Sequence, residues 1–241
     1  MKAIILAAGR GSRMGSLTDN TPKCLIELAG KTLLQRQLDS LRGAGIDKIG
    51  IVRGYLADQL YTPGIKFFEN KRWEKTNMVF SLSCAKEWLQ RDECIVSYSD
   101  IIYSINAIDV LIKAHGDIVI TYDKNWLKLW KVRFEDPLSD AETFQVDDKG
   151  KLLEIGKKAN DIDEIKGQYM GLLKISTKGW KIIYNYLSNL SREEYDLLCI
   201  TSMLQNLIQS GVEISAVPIS DCWYEVDNEN DLKLYQSIMK W

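Results

Sequence analysis

Two glycines and two widely used phosphate-binding cations stand close together near the start of the chain, in Leu6-Ala7-Ala8-Gly9-Arg10-Gly11-Ser12-Arg13 followed by Thr21-Pro22-Lys23. Glycine lets a backbone turn tightly and bring its N–H groups against an anion. Arg13 offers a bidentate fork and Lys23 a point charge, the two ways in which side chains neutralise phosphate. The loop follows an apolar run, Ala3 to Ala8, that fits a buried strand. A strand end with backbone donors and paired cations predicts a nucleoside-triphosphate site. Two commoner glycine loops are excluded. A dinucleotide fingerprint needs Gly or Ala where Met14 stands, and a Walker loop needs a terminal Gly-Lys-Ser/Thr that is not there.

Two carboxylates complete the chemistry. Asp100 ends the apolar run Val96-Ser97-Tyr98-Ser99-Asp100, and Asp227 ends Trp223-Tyr224-Glu225-Val226-Asp227 just before a helix. Mg²⁺ takes hard oxygen ligands, commonly one or two carboxylates together with phosphate oxygens and water. Asp100 and Asp227 on neighbouring strand ends would hold it against the α-phosphate of a nucleotide. Each aspartate alone would also serve as a turn or cap residue.

The elements that must position these groups alternate through the first half. Ile4–Ala8, Ile49–Val52, Ile65–Glu69, Cys94–Tyr98 and Ile118–Tyr122 read as strands. Helices are expected over 31–43, where Leu34, Leu38 and Leu41 share a face, and over 77–90 and 105–114. This order predicts an α/β fold: a three-layer α/β/α, Rossmann-like, mostly parallel sheet whose ligand lies beyond the strands' carboxyl ends. From about residue 124 the pattern changes. Asp147-Asp148-Lys149-Gly150 is a hairpin turn, and Tyr169–Ile175 reads as a further strand of a small antiparallel flap. Helices over 178–187 and 195–209 follow, the second burying Leu197, Leu198, Leu204 and Ile208; then come a strand over 212–218 and a helix from Asn228 to Met239, capped by Asn228. One domain over 1–241 is expected: a nucleotide-binding half (1–123), an acceptor-side flap (about 124–175), and a closing segment (176–241).

Composition narrows the classes. A 241-residue chain with 46% hydrophobic residues can bury a sizeable core, and a net charge of −2 gives no footprint for nucleic acid or an anionic membrane. Apolar runs are strand-sized, so no membrane insertion is expected, and no signal peptide is expected ahead of the first strand. Five scattered cysteines without a Cys-x-x-Cys pair read as small apolar fillers in a reducing cytoplasm. The single histidine, His115, lies in a stretch that reads as helical, and no Ser-His-Asp or Cys-His set offers a covalent nucleophile.

In order, the glycine loop, the strand-end aspartate and Glu225-Val226-Asp227-Asn228 resemble the sugar-phosphate-type nucleotidyltransferases, and the resemblance covers most of the chain. Within that superfamily the chain is most similar to the small bacterial cytidylyltransferases that activate phosphocholine or 2-aminoethylphosphonate. Asn77-Met78-Val79-Phe80-Ser81 matches their Asn-x-x-x-Ser, where sugar-activating relatives place Gly-Thr-Ala or Gly-Leu-Ala. Gly54-Tyr55, Asp136-Pro137-Leu138 through Glu142, and Gly167-Gln168-Tyr169-Met170-Gly171 agree, while Ser99-Asp100 departs from the Gly-Asp of many sugar enzymes. The resemblance implies Arg13 and Lys23 as the catalytic cations and Mg²⁺ as cofactor on Asp100 and Asp227. It implies a nucleotide site of Leu6, Ala7, Ala8, Gly9, Gly11, Ser12, Arg13, Lys23, Asn77, Ser81 and Ser99, with CTP favoured as the nucleotide.

Aromatic and acidic residues gather where an acceptor would then sit: Tyr122, Trp126, Trp130, Tyr169 and Trp223, with Asp136, Asp140 and Glu142. Rings and carboxylates suit a zwitterion bearing a positive amine. Trp126 and Trp130, four apart, equally suit one buried helical face, and Lys131 and Arg133 beyond them would be snorkelling cations on a solvated edge. Lys157 and Lys174 fit surface lysines better than phosphate ligands. The expected reaction joins CTP to a small phosphorylated or phosphonylated amine, giving a CDP- or CMP-linked product and pyrophosphate. The alternatives are a sugar-1-phosphate nucleotidyltransferase using UTP, dTTP or GTP, and a nucleotide-sugar glycosyltransferase, for which the usual Asp-x-Asp is missing. Homo-oligomerisation stays open.

Overall fold

The computed structural model describes residues 1–238. Strand β1 (Lys2–Ala7) is buried from Ala3 onward and runs into the glycine loop. A two-residue ribbon, β2 (Glu27–Leu28) with β3 (Lys31–Thr32), follows, and Thr32 caps α1 (Leu33–Gly43) by accepting from Gln35 N–H at 3.0 Å. Leu34, Leu38 and Leu41 lie on the buried face, as their spacing requires. Strands β4 (Ile49–Arg53) and β5 (Lys66–Glu69) come next. The helix expected over 77–90 is two, α2 (Met78–Cys84) and α3 (Lys86–Leu89), because Ala85 leaves helical geometry and its N–H bonds Leu82 in a tighter turn. Strands β6 (Cys94–Tyr98) and β7 (Ile101–Tyr103) flank the Asp100 turn; α4 (Ile105–Lys113) and β8 (Ile118–Asp123) close this half. His115 lies exposed just beyond α4 rather than within it.

Helix α5 (Trp126–Arg133) opens the second half, and β9 (Glu142–Val146) pairs antiparallel with β10 (Leu152–Lys158) across the expected turn, where Asp147 accepts from Lys149 and Lys151 N–H. The flap ends there. Strand β11 (Gln168–Ile175), expected within it, instead runs antiparallel between β6 and β8 in the central sheet. Its nearly continuous burial gives the reason: both faces and both edges are covered, a core position rather than a lid. Helix α6 (Thr177–Leu187) follows, and the helix expected over 195–209 is again two, α7 (Arg192–Leu197) and α8 (Ile200–Gln209). Helical phase restarts after Cys199, whose thiol accepts from Ser202 N–H, so Leu204 is buried, Leu198 and Ile208 are half-buried and Leu197 is 63% exposed. Strands β12 (Ser215–Ile219) and β13 (Trp223–Glu225) lead to α9 (Glu229–Ile238), where Asn228 caps through Asn230 and Asp231 N–H; the expected helix end at Met239 lies outside the described residues.

The central sheet has the order β12-β8-β11-β6-β1-β4-β5, parallel except for β11, with helices on both faces. Strand β13 stays out of it and pairs antiparallel with β7, Glu225 opposite Ile101. Beneath that ribbon a small apolar cluster of Met14, Ile26, Leu28, Leu33, Ile102, Val226 and Tyr235 ties it to the glycine loop. Cys24 and Cys94 are buried fillers as expected, whereas Cys222 is exposed. Among the described residues, no helix is long and apolar enough to cross a membrane.

Gly171 breaks the register of β11, with φ +72° and the Tyr98 ring 2.8 Å from where a Cβ would stand. Gly171→Ala is therefore expected to cost about 1–3 kcal/mol of stability through backbone strain and ring displacement. A urea melt measures it, and an unchanged midpoint would show that the bulge tolerates a side chain.

Candidate active site

Gly11 makes the loop. Its φ is +69°, and a Cβ there would meet the Lys23 side chain at 2.9 Å. Gly9, expected to share the turn, has no positive φ and no atom within 4 Å of a Cβ, so the turning falls on Gly11. Thr18 donates to the Gly11 carbonyl at 3.1 Å, and the Tyr55 hydroxyl bridges the Thr18 and Asp19 carbonyls at 2.8 and 2.7 Å. With Met14 in the small apolar cluster, these contacts hold the loop in shape. Ser12 and Arg13 stay on its exposed side.

Lys23 goes the other way, inward. Its ammonium, 8% exposed, donates to Asp100 Oδ2 at 2.7 Å and to Asp227 Oδ1 at 3.1 Å. Burial works against the charge, but the two aspartates outweigh it and raise the lysine pKa. Arg13 reaches Asp227 Oδ1 from the solvent side at 2.8 Å. The Asp100 turn is held by Gln37 of α1, which donates to the Tyr98 and Ile101 carbonyls at 2.9 and 2.6 Å. Val226 N–H bonds the Asp100 carbonyl at 2.9 Å, locking β13 beside it. Two carboxylates 127 positions apart in the chain thereby share one cation.

Sequence reasoning missed Arg133. Its side chain is fully buried, not a snorkelling surface cation; Nε and Nη2 grip Asp231 at 2.9 and 3.0 Å, and Nη1 lies 3.3 Å from Glu225. Burial opposes its charge, yet the hydrogen bonds to Asp231 and the acidic neighbours push its pKa up. A helix-end arginine carries no local signal of such burial. Glu225 had one: it stands two positions before Asp227, on the same side of an extended segment. Burial, then the charges of Asp227 and Asp100, push its carboxyl up to about 8.

These groups edge a cavity of about 350 Å³ whose wall includes Arg13, Asp100, Glu225 and Asp227. Four of the eight expected acceptor residues line it: Trp130, Asp140, Glu142 and Tyr169. The other four do not. Trp126 is buried, donating to the Ile165 carbonyl; Trp223 is buried behind Trp130, stacked at 5.8 Å and donating to the Met170 carbonyl. Tyr122 packs on Phe144, and Asp136 caps the short turn Pro137–Ser139 through Leu138 N–H. Core packing and capping claim these four. Tyr98, edge-on to Tyr169 at 5.8 Å, and Thr143, Gln168 and Thr201 join the wall without having been foreseen. Among the described residues no hydrogen bond or ion pair engages the Asp140 or Glu142 carboxylate; both residues are exposed, and partial desolvation at the cavity raises both pKa values, against the pull of Arg133 and Arg13 on Asp140 and with the charge of Asp140 adding to Glu142.

The expected base-reading residues are not among those lining this cavity. Leu6 and Ala7 end β1, and Ala8 follows it, its carbonyl accepting from Tyr55 N–H at 2.9 Å. Asn77 is exposed at the start of α2, its amide donating to the Leu197 carbonyl. Ser81 turns inward instead, buried and accepting from Asn70 at 3.0 Å, so its hydroxyl braces α2 rather than facing the cavity. Ser99 is half-buried in the Asp100 turn. Lys174 is buried and donates to the Ile112 and Ala114 carbonyls, and Lys157 pairs with Glu154; neither is at the site.

The donor set fits a hard divalent cation. Asp100 Oδ1 is buried with no hydrogen-bond partner, an oxygen that a cation would satisfy. Among the described residues no three His, Cys, Asp or Glu side chains gather to hold a metal ion, so the two aspartates would leave most coordination positions to phosphate and water.

Residues 3–155 match the MobA-like NTP transferase domain, and the chain belongs to that family: it is a nucleotidyltransferase. It is 39% identical to the CTP:phosphoglutamine cytidylyltransferase of Campylobacter jejuni over 250 aligned positions, covering 97% of this chain and 98% of that protein. It is 37% identical to the choline-phosphate cytidylyltransferase of Haemophilus influenzae over 110 positions, 44% of this chain and 46% of that protein. In fold it is similar to the inositol-1-phosphate CTP transferase of T. maritima, with a TM-score of 0.76 at 20% identity, covering 97% of this chain and 94% of that one.

Lys23→Met removes the cation between two carboxylates while keeping most of the stem. A loss of about 3–5 kcal/mol in stability is expected, the order for removing one partner of a buried pair, because Asp227 keeps Arg13 and Arg133 whereas the Asp100 carboxylate is left without a partner. Equilibrium urea unfolding reads it directly; wild-type stability would mean that Lys23 is not part of the network.

Proposed function

We propose that the protein is a CTP-dependent cytidylyltransferase acting in the cytoplasm on a small phosphorylated acceptor that carries an amine. The observation behind the reading is the meeting of Arg13, Asp100 and Asp227, with Lys23 buried behind them, at one edge of a cavity whose lining also presents Trp130, Tyr169 and the carboxylates of Asp140 and Glu142, neither in an ion pair among the described residues. Cytidylyltransferase relatives support CTP, and the one aligned over nearly its whole length supports an amino-acid phosphate such as phosphoglutamine. Two carboxylates outside any ion pair gain more from a cationic amine than from hexose hydroxyls, which would give them neutral hydrogen bonds alone.

In the reaction an acceptor phosphate oxygen attacks the α-phosphorus of CTP in line, forming the new P–O bond as the bond to pyrophosphate breaks. Arg13 and Lys23 bind the triphosphate and meet the charge that grows on the leaving pyrophosphate. Asp100 and Asp227 would hold Mg²⁺, which when bound supplies charge neutralisation at the α-phosphate. Gln37 and β13 fix the two carboxylates, so little reorganisation is left for the reactive complex. The acceptor's ammonium lies against Asp140 and Glu142, with the Trp130 and Tyr169 rings beside it, each well-placed ring contributing ~0.5–2 kcal/mol.

A pyrophosphate-release assay over CTP, UTP, dTTP and GTP tests the nucleotide, with CTP expected to be used best. With CTP, an amine-bearing acceptor (phosphoglutamine, phosphocholine or 2-aminoethylphosphonate) is expected to exceed glucose 1-phosphate by at least ~10-fold in kcat/KM, about 1.4 kcal/mol. Asp140→Asn and Glu142→Gln should raise KM for that acceptor and leave KM for CTP nearly unchanged. Asp100→Asn and Asp227→Asn should each cut turnover at least ~10²-fold. Faster use of glucose 1-phosphate than of every amine would overturn the acceptor assignment; full Mg²⁺-dependent activity in either aspartate variant would overturn that residue's role.

A further inference from the structure

Asp227 is held from two sides. Arg13 from the solvent side and the buried Lys23 touch Oδ1 at 2.8 and 3.1 Å, and both are cations that a triphosphate would draw upon. On the inner side, Arg133 Nη2 lies 3.5 Å from Oδ2, and Asp231 Oδ2 accepts from the Asp227 N–H at 2.9 Å and the Asn228 N–H at 3.3 Å. Arg133 and Asp231 grip each other bidentately, with side chains 0% and 3% exposed. A buried ion pair is an expensive way to join two helices, since apolar residues of similar volume do so at least as well. What apolar residues lack is a fixed set of donors and acceptors that orients a neighbouring carboxylate and its peptide.

The same guanidinium also faces the acceptor side. It lies 4.9 Å over the Trp130 ring, three residues back on α5, and 3.3 Å from Glu225 in the cavity wall. One rigid, planar group thus touches the carboxylate at the nucleotide edge and the ring at the acceptor edge. The geometry points to Arg133, with Asp231, as a positioning residue: it aims the Asp227 carboxylate and keeps it in register with the Trp130 wall when Arg13 and Lys23 turn to phosphate. The inference rests on the reading of Asp227 as the carboxylate that serves the divalent cation. Lysine cannot replace the guanidinium here, because a point charge lacks the fork.

Arg133→Lys, Asp231→Asn and Asp227→Asn are compared with the wild-type protein. Mn²⁺ affinity in the presence of CTP and absence of acceptor is measured from the electron paramagnetic resonance of free Mn²⁺, alongside kcat, both KM values and circular-dichroism melts. Arg133→Lys is expected to fold, to weaken Mn²⁺ binding about 10-fold and to lower kcat by a similar factor, the usual effect of removing a partner that orients a ligand. Asp231→Asn should move the same two quantities in the same direction. If Asp227→Asn itself leaves Mn²⁺ affinity and kcat untouched, the underlying reading of Asp227 fails and the inference goes with it. If Asp227→Asn loses both while folded Arg133→Lys and Asp231→Asn keep wild-type Mn²⁺ affinity, the inference alone is overturned. Failure of both variants to melt cooperatively would assign the pair to stability and overturn it as well.

Discussion

A lysine ammonium lies buried between two aspartates, and the rest of the site is arranged around that charge balance. Removing two carboxylates from water is unfavourable unless cations and hydrogen bonds compensate. Lys23 supplies a shared cation, Arg13 a second from the solvent side and Arg133 a third from within. Each comes from a different part of the chain, so the balance exists only when the glycine loop, β6–β7, α5 and β13 are all in place. The fold and the electrostatics of the site are therefore one problem.

The apolar parts of the molecule serve the same end. Met14 beside Val226 and Tyr235 fixes the glycine loop against the β7–β13 ribbon, and Gln37 spans from α1 to the two carbonyls that bracket the Asp100 turn. Along the cavity, buried Trp223 and Trp126 back Trp130, stacked and edge-on respectively, leaving a firm wall. Such preorganisation suits phosphoryl-type transfer, in which positioning and charge neutralisation do most of the catalysis. Under the proposed function the carboxylates of Asp140 and Glu142 would favour a cationic group and disfavour another anion close by.

Local patterns carried most of the architecture. Apolar runs of strand length and the Leu34-Leu38-Leu41 spacing are short-range consequences of burial on one face, and the structure keeps them within a residue or two. Helices expected as continuous over 77–90 and 195–209 break at Ala85 and at Leu198–Cys199, where periodicity alone shows no boundary. Strand β11 was recognisable as a strand but not as a central one, because its partners are distant segments and pairing is not a local property.

The site divides in the same way. By itself the sequence determined the glycine loop, its cations and the strand-end aspartates, since backbone turning and phosphate neutralisation demand particular residue types at short spacing. It also determined which class of acceptor residues to look for, rings and acids in the segment after β8. Tertiary structure decided which of them face the cavity: Trp130, Tyr169, Asp140 and Glu142 do, while Trp126, Trp223, Tyr122 and Asp136 are taken up by packing and capping. It alone turned Ser81 away toward Asn70, buried Arg133 beside Asp231 and set Lys23 between acids 77 and 204 positions away. The physical reason is common to all of these. A side chain's direction and its ionic partners depend on elements brought together by long-range packing, and no local pattern in the chain encodes them.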